Sequence, residues 1–391
     1  MNWLRSLNKR LSPRVEWISF DEHLVLIRDE REIIVLNETA RHIWEAFAEG
    51  ATVADLVSDI ADRFGLSSAR AQADVETALA EWRGRGLLED DPPTRPWTPR
   101  RPGGAPPPTG FAADLTYALC GYAVRFRFQD LDAEDLIRPL LAPAEVIGPA
   151  AHEVIDLYRD GADHVIAANG AEIGRSPLTE DVLGLALGRV LEVSYPDAHW
   201  LAMFHAGVVA DDRHAIVLPG ASGSGKSTLT AALVHAGFRY LSDDVAPLDG
   251  RTLAVMPMPF AVSLKRGSWG VLAPWFPDLE RVPAFGRGWR SRRYLDMPRR
   301  DGDTRGSGAP VKALVFPQHR SDGPTQIAQI RPGEALGRLL QAGGWVSLDR
   351  QDLSNLLAWL MSTPGYKIAY NSTQEARSSI CDLSSSLRCC A

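Results

Sequence analysis

The stretch that decides the reading of this chain runs from His214 to Gly237, HAIVLPGASGSGKSTLTAALVHAG. Ala215–Leu218 is short and apolar, as a buried strand is. From Lys226 to Ala236 the apolar positions Leu229, Ala232 and Leu233 recur at helical spacing, and Gly237 suits the C-cap. Between them lies Gly220-Ala-Ser-Gly-Ser-Gly-Lys-Ser227. Strand, glycine-rich turn and helix, in that order, are the setting of a phosphate-binding loop. Glycines at 220, 223 and 225 let backbone amides converge on phosphate oxygens, and a helix N-terminus adds positive potential. The expected nucleotide contacts are Gly220, Ser222, Gly223, Ser224, Gly225, Lys226, Ser227 and Thr228. Lys226 suits the β- and γ-phosphates and Ser227 suits Mg²⁺. Only five of the 42 basic residues are lysines, so one inside the motif carries weight.

Working outward, Phe238–Leu241 reads as the next strand and delivers Ser242-Asp243-Asp244, with Asp243 placed 17 residues after Lys226. Two adjacent carboxylates at a strand end can divide two tasks. One of Asp243 and Asp244 is expected to hold Mg²⁺ and the other to accept a proton from an attacking hydroxyl; Asp244 is favoured for the metal and Asp243 for the base, and the reverse division stays open. Upstream, His205 stands in Phe204-His205-Ala206-Gly207 and joins Lys226, Asp243 and Asp244 as a candidate catalytic residue. The plainer alternatives are a solvated turn for the acid pair and a core imidazole for His205.

Together these three elements resemble the HPr kinase/phosphorylase family, which has a His-Gly-type element, a GxSGxGKS loop and an Asp-Asp pair after the following strand. The resemblance is strong over 203–265 and faint over the rest of 112–385, including Pro257-Met-Pro259 to Ser263-Leu264-Lys265, Leu314-Val-Phe316-Pro317 and Pro364-Gly-Tyr366-x-Ile368-x-Tyr370. It implies a fold related to phosphoenolpyruvate carboxykinase, and transfer of phosphate from ATP to a serine with Mg²⁺. The chain departs from the family at Ala221, where an acidic residue is common, and at Thr228. It also lacks the family's second signature. The resemblance therefore implies neither the reverse, phosphorolytic reaction nor HPr as substrate.

The clearest boundary is Asp90–Gly110, DDPPTRPWTPRRPGGAPPPTG, whose eight prolines favour an extended spacer. Domains are accordingly expected at 1–90 and 112–385 around a linker at 91–111, with a subregion at 112–200 before a catalytic core at 201–385. In the first, Val15–Phe20, His23–Asp29 and Glu32–Leu36 read as a small antiparallel sheet. Asn37 suits an N-cap before Ala40, Ile43, Trp44 and Phe47. A second helix follows Thr52 with Val53, Leu56, Val57 and Ile60, and a third carries Val75, Ala78, Leu79 and Trp82. This is a winged-helix-like plan.

The run IVLNETARHIWEAFAEGATVADLVSDIADRF, continuing to DVETALAEWRGRGLLED, is similar to PqqD-type peptide-recognition domains. The match rests on Leu36-Asn37-x-x-Ala40 with Ile43-Trp44, the Gly50 turn and Gly86-Leu87-Leu88. It implies binding of the leader of a ribosomally made precursor peptide, by strand addition at 32–36 with the helix around 75–82 facing it. A DNA-binding winged helix is disfavoured by Asp55, Asp59 and Asp62 on the second helix.

Between the two, Tyr117–Phe128 reads as one or two strands, Asp181–Tyr195 as a buried helix and Cys120 as a core residue. Arg287–Arg300, with six arginines, reads as a loop that either clamps a γ-phosphate or an acidic peptide or is simply solvated. Cys389-Cys390 reads as a tail. With 45% apolar residues, 391 residues carry ample core; the net charge of −7 argues against a nucleic-acid coat, and no apolar run is long enough for a membrane span. Four cysteines and no apolar N-terminal stretch lead us to expect a cytoplasmic protein. The expected fold class is α+β for the winged-helix-like part and α/β for the part carrying the loop. The expected function is an ATP-dependent kinase of a Ser or Thr in a precursor peptide, monomeric or homo-oligomeric. A non-catalytic, nucleotide-gated peptide carrier and a kinase of a small-molecule acceptor remain open beside it.

Overall fold

The computed structural model describes residues 4–5, 11–12, 14–29, 31–88, 108–148, 151–258, 260–285, 291–298 and 307–388. Most of the Pro-rich segment, Cys389 and Cys390, and arginines 287, 290, 299 and 300 lie outside the described residues. The chain divides into two compact units. The first combines 1–98 with 330–337 and 347–362, and the second comprises 99–329, 338–346 and 363–391.

In the first unit Leu4–Arg5, Val15–Phe20, His23–Arg28 and Glu32–Leu36 form an antiparallel sheet in that order. Asp21, at φ 55°, supplies the left-handed residue in the turn between the two long central strands. Glu32–Leu36 pairs with His23–Arg28 on one side and is an edge among the described strands. Helices Glu38–Glu49, Val53–Phe64 and Ser68–Gly84 follow. Each has the cap its sequence offers. The Asn37 side chain accepts from the Ala40 amide, Thr52 and Asp55 form a capping box, and Ser67 accepts from Arg70. Their apolar faces converge on Trp44, which meets Trp17 and Trp82 edge-on at centroid distances of 5.8 and 5.1 Å. Val75, Leu79 and Trp82 are buried in that core. The later segments belong to the same body: Arg331 pairs with Glu22, and Arg350 with Glu16.

The second unit contains two larger sheets. In the first, Ala171–Ser176, Asp163–Ala168, Glu153–Asp160, Tyr122–Phe128, Ala113–Leu119 and Glu145–Val146 lie side by side. Helices Leu131–Leu141 and Thr179–Ser194 pack Ile137, Leu141, Ala186 and Val190 against Phe126, Ile155 and Leu157 of this sheet. Cys120 is buried here, its thiol donating to the Pro257 carbonyl and accepting from the Tyr195 hydroxyl at 3.0 Å.

The other sheet runs Arg239–Ser242, Ala206–Ala210, Ala215–Pro219, Ala309–His319, Ala254–Val255, Ala246–Asp249, Trp200–Phe204 and Gly344–Val346. Gly365–Tyr370 lies parallel to the second half of Ala309–His319. Ala215–Pro219 is also parallel to Ala309–His319; it is buried throughout, as are residues 313–317 of its neighbour, which explains why those two runs are apolar. Helices Lys226–His235 and Thr373–Arg388 bury Leu229, Leu233, Ala376 and Ile380 with Ile216, Leu218 and Val315 of this sheet.

The expectation of a loop over 287–300 needs correction in its described part. Arg292–Leu295 is the middle strand of a small antiparallel sheet with Val262–Lys265 and Ala284–Phe285. Its arginines alternate in role: Arg293 lies over the Trp269 ring at 4.1 Å, while Arg292 donates to the Ser263 hydroxyl at 3.0 Å. No helix among the described residues is long and apolar enough to cross a membrane.

Candidate active site

The strand Ala215–Pro219 ends in the glycine-rich turn, and the helix starts at Lys226 with Gly225 as its N-cap. Gly223 and Gly225 have φ of 93° and 99°, a backbone only glycine adopts freely. Gly225 has a second reason. A Cβ there would stand 2.0 Å from the Tyr370 hydroxyl, so the ring of Tyr370 sets how the turn lies over the sheet. The neighbouring strand ties the backbone as well, through the His319 amide, which donates to the Ser224 carbonyl at 3.2 Å. Ser224 Oγ is buried with no hydrogen-bond partner among the described residues.

The expected catalytic groups meet here. Arg239–Ser242 places Asp243 and Asp244 beside the helix start, and the end of Trp200–Phe204 places His205. Lys226, itself buried, reaches Asp244 Oδ1 with its ammonium at 2.5 Å. The Nδ1–H of His205 donates to the Asp244 carbonyl at 3.1 Å, leaving Nε2 as the free acceptor, 3.9 Å from Asp244 Oδ1. Asp244 holds φ 68°, a left-handed backbone that aims its carboxylate at the lysine at a cost of about 1 kcal/mol.

The two carboxylates have opposite electrostatic environments. Asp243 is 2% exposed, and among the described residues neither of its oxygens finds a hydrogen bond of good geometry. Burial and the neighbouring Asp244 charge push its carboxyl up to about 7, against the opposing pull of the Lys226 ammonium and the Ser227 hydroxyl. Burial also works to raise Asp244, but the Lys226 ammonium overcomes it and holds that carboxyl below its ordinary value. His205 is pushed down by burial and by Lys226, so it is neutral near pH 7. The site thus holds a poised acid–base group beside a fixed ion pair, an arrangement suited to proton transfer next to a charged ligand.

Of the residues expected around phosphate, Thr228 is engaged elsewhere, hydrogen-bonded to Ser268 at 2.7 Å. Among the described residues no group of three His, Cys, Asp or Glu side chains could hold a metal ion by itself. Ser227 with Asp244 would need phosphate oxygens and water to complete a Mg²⁺ shell, which is how that ion is usually held.

Three contributions were not read from the motif. Gly207 is needed because a Cβ there would sit 2.0 Å from Thr230 Oγ1 and 3.3 Å from Asp243 Oδ1, so its bare backbone admits the buried acid. Tyr370 supports Gly225 from a distant strand. Lys265 donates to Ser222 Oγ at 2.5 Å from across the small sheet.

No curated protein matches this chain. Residues 22–88, which cover the antiparallel strands from His23 and the three capped helices of the first unit, match the family described as coenzyme PQQ synthesis protein D, PqqD.

Proposed function

We propose that this chain is an ATP-dependent phosphotransferase that modifies a Ser or Thr hydroxyl of a ribosomally made precursor peptide, whose leader is recognised by the PqqD-like unit. The observation that carries the catalytic half is Asp243, a buried carboxyl poised near neutrality beside the lysine of a glycine-rich strand–loop–helix. The PqqD match supports a part in peptide maturation.

In this reading the loop amides and Lys226 orient the triphosphate, and Ser224 Oγ gains the partner it lacks. Ser227 and Asp244 would hold Mg²⁺, which when bound neutralises charge on the phosphate oxygens. Asp243 receives the hydroxyl proton as the acceptor oxygen bonds to the γ-phosphorus and the bond to the β-bridging oxygen breaks. His205 fixes Asp244 through its carbonyl and adds no charge of its own.

The leader would add to the free edge of Glu32–Leu36. Since Val75, Leu79 and Trp82 are consumed by the core, the third helix would contribute its outer, polar face, including Gln72 and Glu76. The test is the intact mass of short peptides encoded beside this gene after incubation with the protein and Mg·ATP. A gain of about 80 Da, one phosphoryl group, is expected. Measurable binding of ATP and peptide with no gain would instead favour a nucleotide-gated carrier.

A further inference from the structure

The small sheet beside the glycine-rich loop brings two cations to it. Lys265 ends the strand Val262–Lys265 and is in direct register with Arg292 on the neighbouring strand. The Lys265 ammonium lies 2.5 Å from Ser222 Oγ in the loop, and the Arg292 guanidinium is aligned by its hydrogen bond to Ser263 Oγ at 3.0 Å. Arg293, one residue on, faces the other way over Trp269. Among the described residues neither Lys265 nor Arg292 has a carboxylate within ion-pair distance.

We infer that Lys265 and Arg292 form a second cationic arm, separate from Lys226, that grips the terminal phosphoryl group of a bound nucleoside triphosphate. This rests on the phosphotransferase reading above.

The electrostatics agree with the geometry. Burial is the chief cause that lowers Lys265, and the charges of Arg292 and Lys226 add to it, so the three cations share one field. Asp244 is taken up by Lys226 at 2.5 Å, which leaves Lys265 and Arg292 without a carboxylate of their own among the described residues. Such an excess of positive charge repels itself in the free protein and is relieved by a dianionic group. A terminal phosphoryl group supplies that charge on oxygens that a guanidinium and an ammonium bind well. Once phosphate is transferred the contact is gone, so the arm discriminates triphosphate from diphosphate and eases product release.

The experiment is calorimetric titration of the full chain with Mg·ADP and with a Mg-bound non-hydrolysable ATP analogue. The wild type is expected to prefer the triphosphate. Lys265→Met and Arg292→Gln are each expected to weaken triphosphate binding by about tenfold or more, the loss of one hydrogen bond to a charged group, with ADP changed less than about twofold. Lys265→Arg should restore the preference, and the retained Mg·ADP binding of Lys265→Met shows that this variant is folded and lacks only the charge. Equal weakening of both nucleotides, or no change in either, would overturn the inference. A wild type that binds neither nucleotide would instead sink the phosphotransferase reading from which the arm is drawn.

Discussion

Replacing Asp243 by asparagine should stabilise the protein at alkaline pH while abolishing transfer. A carboxyl whose folded value is about 7 and whose ordinary value is 3.8 binds more protons in the folded state between those limits. Where the folded state binds more protons, stability falls as pH rises, so the wild type loses stability from about pH 4 to about pH 7. Worked between pH 5 and pH 8, this one group accounts for about 3 kcal/mol of lost stability. An asparagine of nearly the same shape does not titrate, so other pH effects cancel in the comparison. Urea unfolding of wild type and Asp243→Asn at pH 5 and pH 8 should therefore show the stability difference moving by about 3 kcal/mol in favour of the variant at pH 8. A movement under about 1 kcal/mol would show that Asp243 is not held near neutrality, and the reasoning that makes it the base would go with it.

Lys226→Ala should abolish phosphate transfer yet leave leader binding unchanged, measured by mass spectrometry and by titration with the leader peptide; retained turnover contradicts the proposed role. The transfer rate should rise with pH through about 7 as Asp243 ionises, and a flat profile in a single-turnover assay would point to another base. Lys312→Ala should cost about 3–5 kcal/mol in chemical denaturation, because it leaves the Asp211 carboxylate buried without its ammonium. Although burial opposes it, Lys312 and the amides of Arg213 and His214 hold Asp211 well below the usual carboxylate range. Its stabilising contribution should therefore persist at neutral pH and fade only on strong acidification. Trp44→Ala, at the centre of three packed indoles, should destabilise the first unit by about 3–5 kcal/mol, read from fluorescence-monitored unfolding.

How much of this was legible in the chain depended on the range of the interaction. The helices after Asn37 and Thr52 are written in local signals, a cap followed by apolar positions three and four apart, and the structure agrees with them closely. The loop at Gly220–Ser227 likewise carries its strand and helix beside it. Arg292–Leu295 was hidden because an arginine-rich run suggests a solvated loop, while its strand partner lies some thirty residues earlier. The contrast between Asp243 and Asp244 was invisible too. Adjacent acids look alike in a sequence, and only the backbone turn at Asp244, with the space left by Gly207, buries one and leaves the other on Lys226.

The assignment of 330–337 and 347–362 to the first unit has a consequence for how that unit is made. Its sheet and three helices are complete by Leu88, but its last pieces emerge only after most of the chain has been synthesised. At about 5–20 residues per second, that delay is on the order of tens of seconds. During it, Glu16 and Glu22 wait for Arg350 and Arg331. The PqqD-like unit is thus discontinuous in the gene, and a fragment cut at the Pro-rich segment would be an unfinished version of it. Its final assembly is deferred until residues 330–337 and 347–362 have left the ribosome.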